Sequence, residues 1–130
     1  MDKVSREQAT QEVEQWLDRK KVYASTREAQ KDSIETLIEA MMNGDLTLDE
    51  KTNELNHKLL FPLDEVKELK YKSRLNDKMM RPHLQGVKSN DADGRLNALT
   101  ACLTSQPKAV IENLDSADKR IMMSIAVFFL

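Results

Sequence analysis

The chain has 130 residues, of which 32% are charged and only 5% are aromatic, and its net charge is −2. This length fits one domain, or one domain with a helical appendage, and so few aromatic residues favour a helical protein over a β-sandwich or barrel. Residues 1–66 carry 9 basic and 15 acidic side chains (net −6), whereas residues 67–130 carry 11 and 7 (net +4). Neither half is basic enough to be typical of a nucleic-acid-binding domain, but oppositely charged halves are able to self-associate, so a homo-oligomer stays among the expected partners.

The N-terminal third predicts a pair of helices. A capping box at Ser5 begins a first helix that runs to Lys21, and Trp16 lies on its apolar face, where we expect it to anchor this helix to the second. A second capping box at Ser25 begins the second helix, whose apolar stripe ends at Asn43-Gly44.

The next stretch is the one place where the strand period of two competes with the helical period. Asp45–Asp49 is expected to be an extended linker. Residues 54–61 and 66–72 then predict a β-hairpin with its turn from Pro62 to Glu65, because proline fixes φ and lacks an amide donor. A helix from Asp64 to Lys72 is the alternative, since the same apolar residues also fit a helical face.

The rest of the chain predicts a compact cluster of helices. Asn76 caps a short helix that Pro82 ends, a longer helix runs from Asp91 to Thr104, and Pro107 suits the first turn of another short helix.

Asp115 caps the last helix, and Asp118 lies in its first turn, where the helix dipole favours an acid. That helix is apolar on much of its circumference, so it must be covered by the rest of the domain or by a partner. These elements predict an α+β, mainly helical fold. It would consist of an N-terminal helical pair (1–45) and a short β-hairpin followed by three to four helices (46–130), which also fits one continuous domain.

Few residues offer catalytic chemistry. His57 in the predicted strand and His83 beside Pro82 lack a metal-ligand spacing, and the three glycines are too far apart to form a phosphate-binding loop. Cys102, the only cysteine, is expected to be a small buried hydrophobe rather than a nucleophile. We therefore predict a protein that is not an enzyme and that holds no metal or cofactor.

One basic segment has to be weighed as a nucleic-acid-binding surface, although nucleic acid is not the favoured partner. Its single aromatic residue is Tyr71, whereas nucleic-acid surfaces often interleave several, and cations on an exposed strand also prevent edge-to-edge aggregation. We interpret the segment as a charged sheet edge, and a small nucleic-acid-binding regulatory module as a less favoured alternative. The cations are Lys67, Lys70, Lys72, Arg74, Lys78 and Arg81.

From Val66 onward the order of features resembles a family of small tail assembly chaperones of myovirus-type phages. The resemblance covers roughly residues 55–130, and the N-terminal helical pair lies outside it. The family's usual arginine after the second strand is Lys72 here, or is displaced to Arg74. The similar segments are Val66-Lys67-Glu68-Leu69-Lys70-Tyr71-Lys72, Asn76-Asp77-Lys78-Met79-Met80, the leucines Leu96, Leu99 and Leu103, the connection from Pro107 through Leu114-Asp115 to Asp118, and Phe128-Phe129-Leu130.

This resemblance implies a non-enzymatic role in the cytoplasm of the host cell. Chaperones of the family bind the long helical tape measure protein, keep it soluble, and are displaced as tube subunits polymerise around it. A helix with exposed apolar stripes requires an adaptable apolar groove with charged rims. The candidate groove residues are Met79, Met80, Met122, Met123, Phe128 and Phe129.

The partner is then expected to be the tape measure protein or another tail protein. The alternative within the same setting is a structural protein retained in the tail or baseplate. No membrane partner is expected, because the longest apolar run, Ile125–Leu130, is far too short to cross a bilayer.

Overall fold

The computed structural model describes residues 3–130 and has an α+β, mainly helical fold, as the sequence predicted. The elements in this range are α1 Arg6–Arg19, α2 Ala24–Ala29, α3 Lys31–Met42, β1 Leu46–Asp49, β2 Glu54–Leu63, β3 Val66–Tyr71, α4 Asp77–Leu84, α5 Ala92–Thr104, α6 Lys108–Glu112, α7 Ser116–Ala126 and a C-terminal 3₁₀ turn Val127–Phe129.

The three strands form one antiparallel sheet in the order β1-β2-β3. The expected linker at Asp45–Asp49 is wrong, because its last four residues are β1. Leu46 and Leu48 alternate inward with exposed polar residues, which is the strand period of two, and the strand pairs with β2 from Leu46 opposite His57 to Asp49 opposite Glu54. The hairpin therefore becomes the C-terminal part of a three-stranded sheet.

The predicted hairpin is confirmed, and the alternative helix at 64–72 is wrong. Leu69 and Tyr71 are buried while Lys70 between them is exposed, so the strand pattern decides the conformation. The turn is tighter than expected, since Leu63 pairs with Val66 and only two residues connect the strands. Pro62 belongs to β2.

A large bulge interrupts the hairpin. Lys58 pairs with Glu68 and Leu63 with Val66, so four residues of β2 lie opposite a single residue of β3. Such a bulge leaves backbone donors without a strand partner. The N–H groups of Leu60 and Phe61 instead donate to the carboxylate of Asp118, at 2.8 and 3.0 Å.

Asp118 connects α7 to the sheet. Its Oδ1 also lies 3.1 Å from Nε2 of His57, whose Nδ1 lies 3.1 Å from the hydroxyl of Tyr71. All three side chains are fully buried. A neutral His57 fits both contacts when Nε2–H donates to the carboxylate and Nδ1 accepts from the hydroxyl. The helix dipole is therefore an incomplete explanation for an acid at position 118, because the carboxylate also accepts from the bulge amides and contacts His57.

The second predicted helix is divided into α2 and α3 at Gln30, whose φ is −110°. The capping box expected at Ser25 is wrong, since α2 begins after Tyr23 and has no side-chain cap. No residue of α2 is buried, so packing does not align it with α3. An ion pair between Arg27 and Asp18 (2.9 Å) holds α2 against the end of α1.

Pro82 does not end α4, which continues to Leu84, so that prediction was wrong. The proline removes only the bond to the carbonyl of Lys78, and no residue of α4 is fully buried, so water can satisfy that carbonyl.

Three predicted helix caps are confirmed, and Asp91, which the sequence analysis placed only at the start of a helix, forms a fourth. Each side chain accepts a backbone N–H from the first turn of its helix, as expected of residues with short polar side chains. The capping residues are Ser5, Asn76, Asp91 and Asp115.

One hydrophobic cluster includes residues from the N-terminal helices, the sheet and the C-terminal helices. Trp16 is buried, and its aromatic partners are Phe128 at 5.7 Å, edge to face, and Phe129 at 6.2 Å. These contacts pack Trp16 on the C-terminal turn, a neighbour that the sequence did not indicate. Cys102 is buried, as expected.

Replacing Asp118 by asparagine should destabilise the protein by about 2–4 kcal/mol, because a neutral amide cannot accept from both bulge amides and His57. Asp115→Asn is the matched control, since asparagine caps helices as well as aspartate and the change should stay within about 0.5 kcal/mol. Urea unfolding followed by the fluorescence of Trp16 measures both. Equal losses for the two variants would contradict the bridging role of Asp118.

Burial lowers the pKa of His57 below its ordinary value, although the carboxylates of Asp118 and Asp45 act in the opposite direction. The unfolded chain therefore binds a proton near pH 6.5 that the folded chain does not, and stability should fall as pH is lowered through this value. The His57→Gln variant should lose part of this pH dependence between about pH 7 and about pH 5, measured as unfolding free energy. An unchanged slope in the variant would show that His57 does not contribute.

Candidate functional site

The buried set His57, Asp118 and Tyr71 resembles a catalytic arrangement but has no route to a substrate. The three side chains are 0–1% exposed, and burial together with Asp118 raises the pKa of Tyr71 far above its usual range. Their polar atoms are occupied by one another and by backbone amides. This set is a structural element, so the search for a functional site moves to the surface.

The six residues predicted to line a partner groove lie at different depths. Met122 is fully buried in the core and cannot contact a partner. Phe128 is half-buried against Trp16 and lines neither of the clefts described below, and neither does Met79. Met80, Met123 and Phe129 do line clefts on one side of the molecule.

The larger of these clefts lies between α4, α5 and the C-terminal turn, and its volume is about 820 Å³. Its apolar lining is provided by Leu75, Met80, Leu84, Leu96, Leu99, Phe129 and Leu130. The capping residue Asn76 and the polar residues Ser89 and Asn90 stand at its edges.

The second cleft lies between α3 and α7 and has a volume of about 640 Å³. Met123, Val127, Leu96 and Leu130 are its apolar residues. Because Leu96 and Leu130 line both clefts, the two meet at these side chains, and we call them together the C-terminal groove. Met123 is 48% exposed and Leu130 is 87% exposed, so an apolar occupant could reach both.

The C-terminal turn that closes the groove is held by α1. The ammonium of Lys20 lies 3.4 Å from the ring centroid of Phe129 and 5.5 Å from that of Trp16, and it donates to the carbonyl of Ser73 at 3.1 Å. These contacts favour the charged form of Lys20. Burial and the nearby Arg74 nevertheless lower its pKa to about 8.

The α3 wall of the groove is acidic. Asp32, Glu35 and Glu39 line the cleft along this helix, and we call them the acidic row. Glu35 pairs with Arg6 of α1 at 2.5 Å, and this hydrogen bond lowers the pKa of Glu35, so its carboxylate is ionised at neutral pH. Arg120 of α7 stands at the same cleft.

A separate apolar patch lies on the bulged hairpin. Leu60 is 43% exposed and Phe61 is 57% exposed, although their backbone amides are held by Asp118. This patch shares no lining residue with the C-terminal groove.

The basic segment is distributed over several elements. Lys67 and Lys70 are exposed on the edge strand β3, as expected for a charged sheet edge. The ammonium of Lys72 donates to the carbonyl of Cys102 at 2.6 Å, so this lysine has a structural contact. Tyr71, the only aromatic residue of the segment, is buried and unable to stack on a base.

Within residues 3–130, no three His, Cys, Asp or Glu side chains are grouped so that they could hold a metal ion. Burial raises the pKa of Cys102, and its thiol donates to the carbonyl of Met79 at 3.4 Å. No helix in the same range combines the length and the apolar character needed to cross a membrane.

Sequence reasoning did not identify Leu84 and Leu130 as groove residues or His57 and Asp118 as partners. A leucine on a helix gives no sign of which neighbour it will face, so Leu84 could not be separated from core leucines. Asp118 gave no signal either, because an acid in the first turn of α7, next to Lys119 and Arg120, is what an ordinary helix N-terminus shows.

Comparison with known proteins finds no match, neither with a protein-family model nor with a curated protein or a solved structure.

The depressed pKa of Lys20 predicts a gain in stability at alkaline pH. Between about pH 8 and about pH 10.5 the unfolded chain binds a proton that folded Lys20 has released, so the unfolding free energy should rise with pH through this range. Replacing Lys20 by methionine should reduce this rise, whereas Lys88→Met, at an exposed loop position, should not. Denaturant titrations at about pH 7 and about pH 9.5 measure the effect. Identical pH dependence in the two variants would contradict it.

Proposed function

We propose that this protein is a tail assembly chaperone that binds and solubilises an apolar helical segment of the tape measure protein. The C-terminal groove is the site of binding. The observation that carries the proposal is an open, apolar cleft of two connected parts, with exposed methionine and leucine side chains at its surface.

The chemistry of the groove suits an amphipathic helix. Such a helix places apolar residues at every third or fourth position along one face, and it binds by laying that face into an apolar groove. Met80 and Met123 have unbranched, adaptable side chains that can fit several apolar sequences along a long partner. Charged residues at the edges of the clefts keep the empty groove compatible with water.

A chaperone must also release its partner. The groove is open to solvent, and its floor of half-buried side chains belongs to this protein's own packing, so an occupant can leave without unfolding the chain. Tube subunits that enclose the tape measure helix more completely would then displace the chaperone by burying more of the same apolar surface.

The test is co-expression of this protein with the tape measure protein of the same phage. Native protein should keep the tape measure protein in the soluble fraction. The double variant Met123→Asp/Leu130→Ser should lose most of this effect, with an affinity about 10- to 100-fold weaker, because two exposed apolar contacts are removed. Both positions are exposed, so the fold should persist, which circular dichroism would check.

Tyr23→Ser is the matched control, because Tyr23 is 79% exposed and lines no part of the groove. Equal solubility with the double variant and with the control would contradict the groove as the binding site.

Purified virions distinguish a chaperone from a structural tail or baseplate protein. A chaperone should be absent or scarce in mass spectra of mature particles, whereas abundant copies would favour the structural role. A mobility shift of DNA or RNA that survives physiological salt would instead favour a nucleic-acid-binding regulator and contradict the chaperone proposal.

A further inference from the structure

The acidic row places negative charge along one wall of the C-terminal groove. Asp32, Glu35 and Glu39 lie at positions i, i+3 and i+7 of α3, so they follow one face of the helix over about 10 Å. Among residues 3–130, neither Asp32 nor Glu39 forms a salt bridge. Their carboxylates therefore remain available to a partner.

The opposite wall repeats the same helical spacing with different chemistry. Arg120, Met123, Ser124 and Val127 of α7 and its extension occupy positions i, i+3, i+4 and i+7 along the cleft. Apart from Arg120, this wall carries no charge. An occupant lying between α3 and α7 would contact carboxylates on one side and mainly apolar atoms on the other.

Acidic side chains also outnumber basic ones in the rest of the groove. Asp77 and Asp93 line the larger cleft, between α4, α5 and the C-terminal turn, where the only cation is Arg95. The two clefts thus present five carboxylates against three guanidinium groups when Arg6, which pairs with Glu35, is included, so the net charge is −2. The cations Arg95 and Arg120 belong to α5 and α7, so they leave the α3 wall acidic.

We infer that the groove selects amphipathic helices whose apolar stripe is flanked on one side by lysine or arginine at every third or fourth position. The apolar stripe would lie on Leu96, Met123 and Leu130, and the basic flank would face the acidic row. This inference rests on the proposed function, because it names the kind of helix that the same groove accepts. It excludes helices with an acidic flank, which would meet like charges along α3.

The test compares two labelled peptides of about five helical turns that share one leucine and alanine stripe. One peptide carries lysine along the flank and the other carries glutamate at the same positions. Fluorescence anisotropy with the full chain should give about tenfold tighter binding of the lysine peptide at about 0.05 M salt, as expected from several exposed ion pairs. The difference should shrink at about 0.5 M salt, where screening is stronger.

A charge-matched pair of variants separates the acidic row from the overall charge. Asp32→Asn/Glu39→Gln should bring the two peptides to within about threefold of each other. Asp64→Asn/Glu65→Gln changes the net charge equally, at exposed positions in the hairpin turn, and should preserve the preference.

Each other outcome counts against the inference. Equal binding of both peptides, lost with Met123→Asp/Leu130→Ser, would refute the charge preference and leave the proposed function standing. If neither peptide binds, both the charge preference and the proposed function are refuted. An equal effect of the two charge variants would show that the preference follows the net charge of the protein and not the acidic row. A self-associated chain that the groove variant dissociates in sedimentation would show that a second copy occupies the groove.

Discussion

The carboxylate of Asp118 is the interaction on which the arrangement of the two halves depends. It lies on α7 and accepts from the bulge amides of Leu60 and Phe61 in β2 while also contacting His57. A bulge of this size would otherwise leave part-buried backbone donors without an acceptor, at a cost of about 1–3 kcal/mol for each donor. One side chain thereby stabilises an irregular strand and sets the position of the last helix against the sheet.

The C-terminal groove follows from that position. Once α7 is fixed on the sheet, its 3₁₀ extension places Phe128 and Phe129 against Trp16, and Lys20 covers the ring of Phe129. These contacts leave the far side of the turn facing α4 and α5. The groove is therefore a space between elements whose positions are set by contacts elsewhere. This explains its wide opening and its half-buried lining.

The polar residues of the molecule divide between two environments with opposite consequences. Inside, His57, Tyr71 and Asp118 satisfy one another and are inaccessible, so their chemistry acts on stability and its pH dependence. At the surface, Asp32 and Glu39 form no salt bridge within residues 3–130 and stand beside exposed apolar side chains. The surface carboxylates are therefore able to recognise the basic flank of a partner helix, whereas the buried set is not.

Local sequence patterns alone determined the helix caps at Ser5, Asn76 and Asp115 and the existence of the hairpin, because each of these depends on residues within a few positions. Only the tertiary structure decided the pairing of β1, the burial of Met122, the aromatic partners of Trp16 and the role of Asp118. His57 and Asp118 are 61 positions apart, and no local periodicity records a contact that only chain folding brings about. The groove also could not be predicted from local sequence. Its leucines have the same helical spacing as core leucines, and only the placement of the neighbouring helices leaves them accessible.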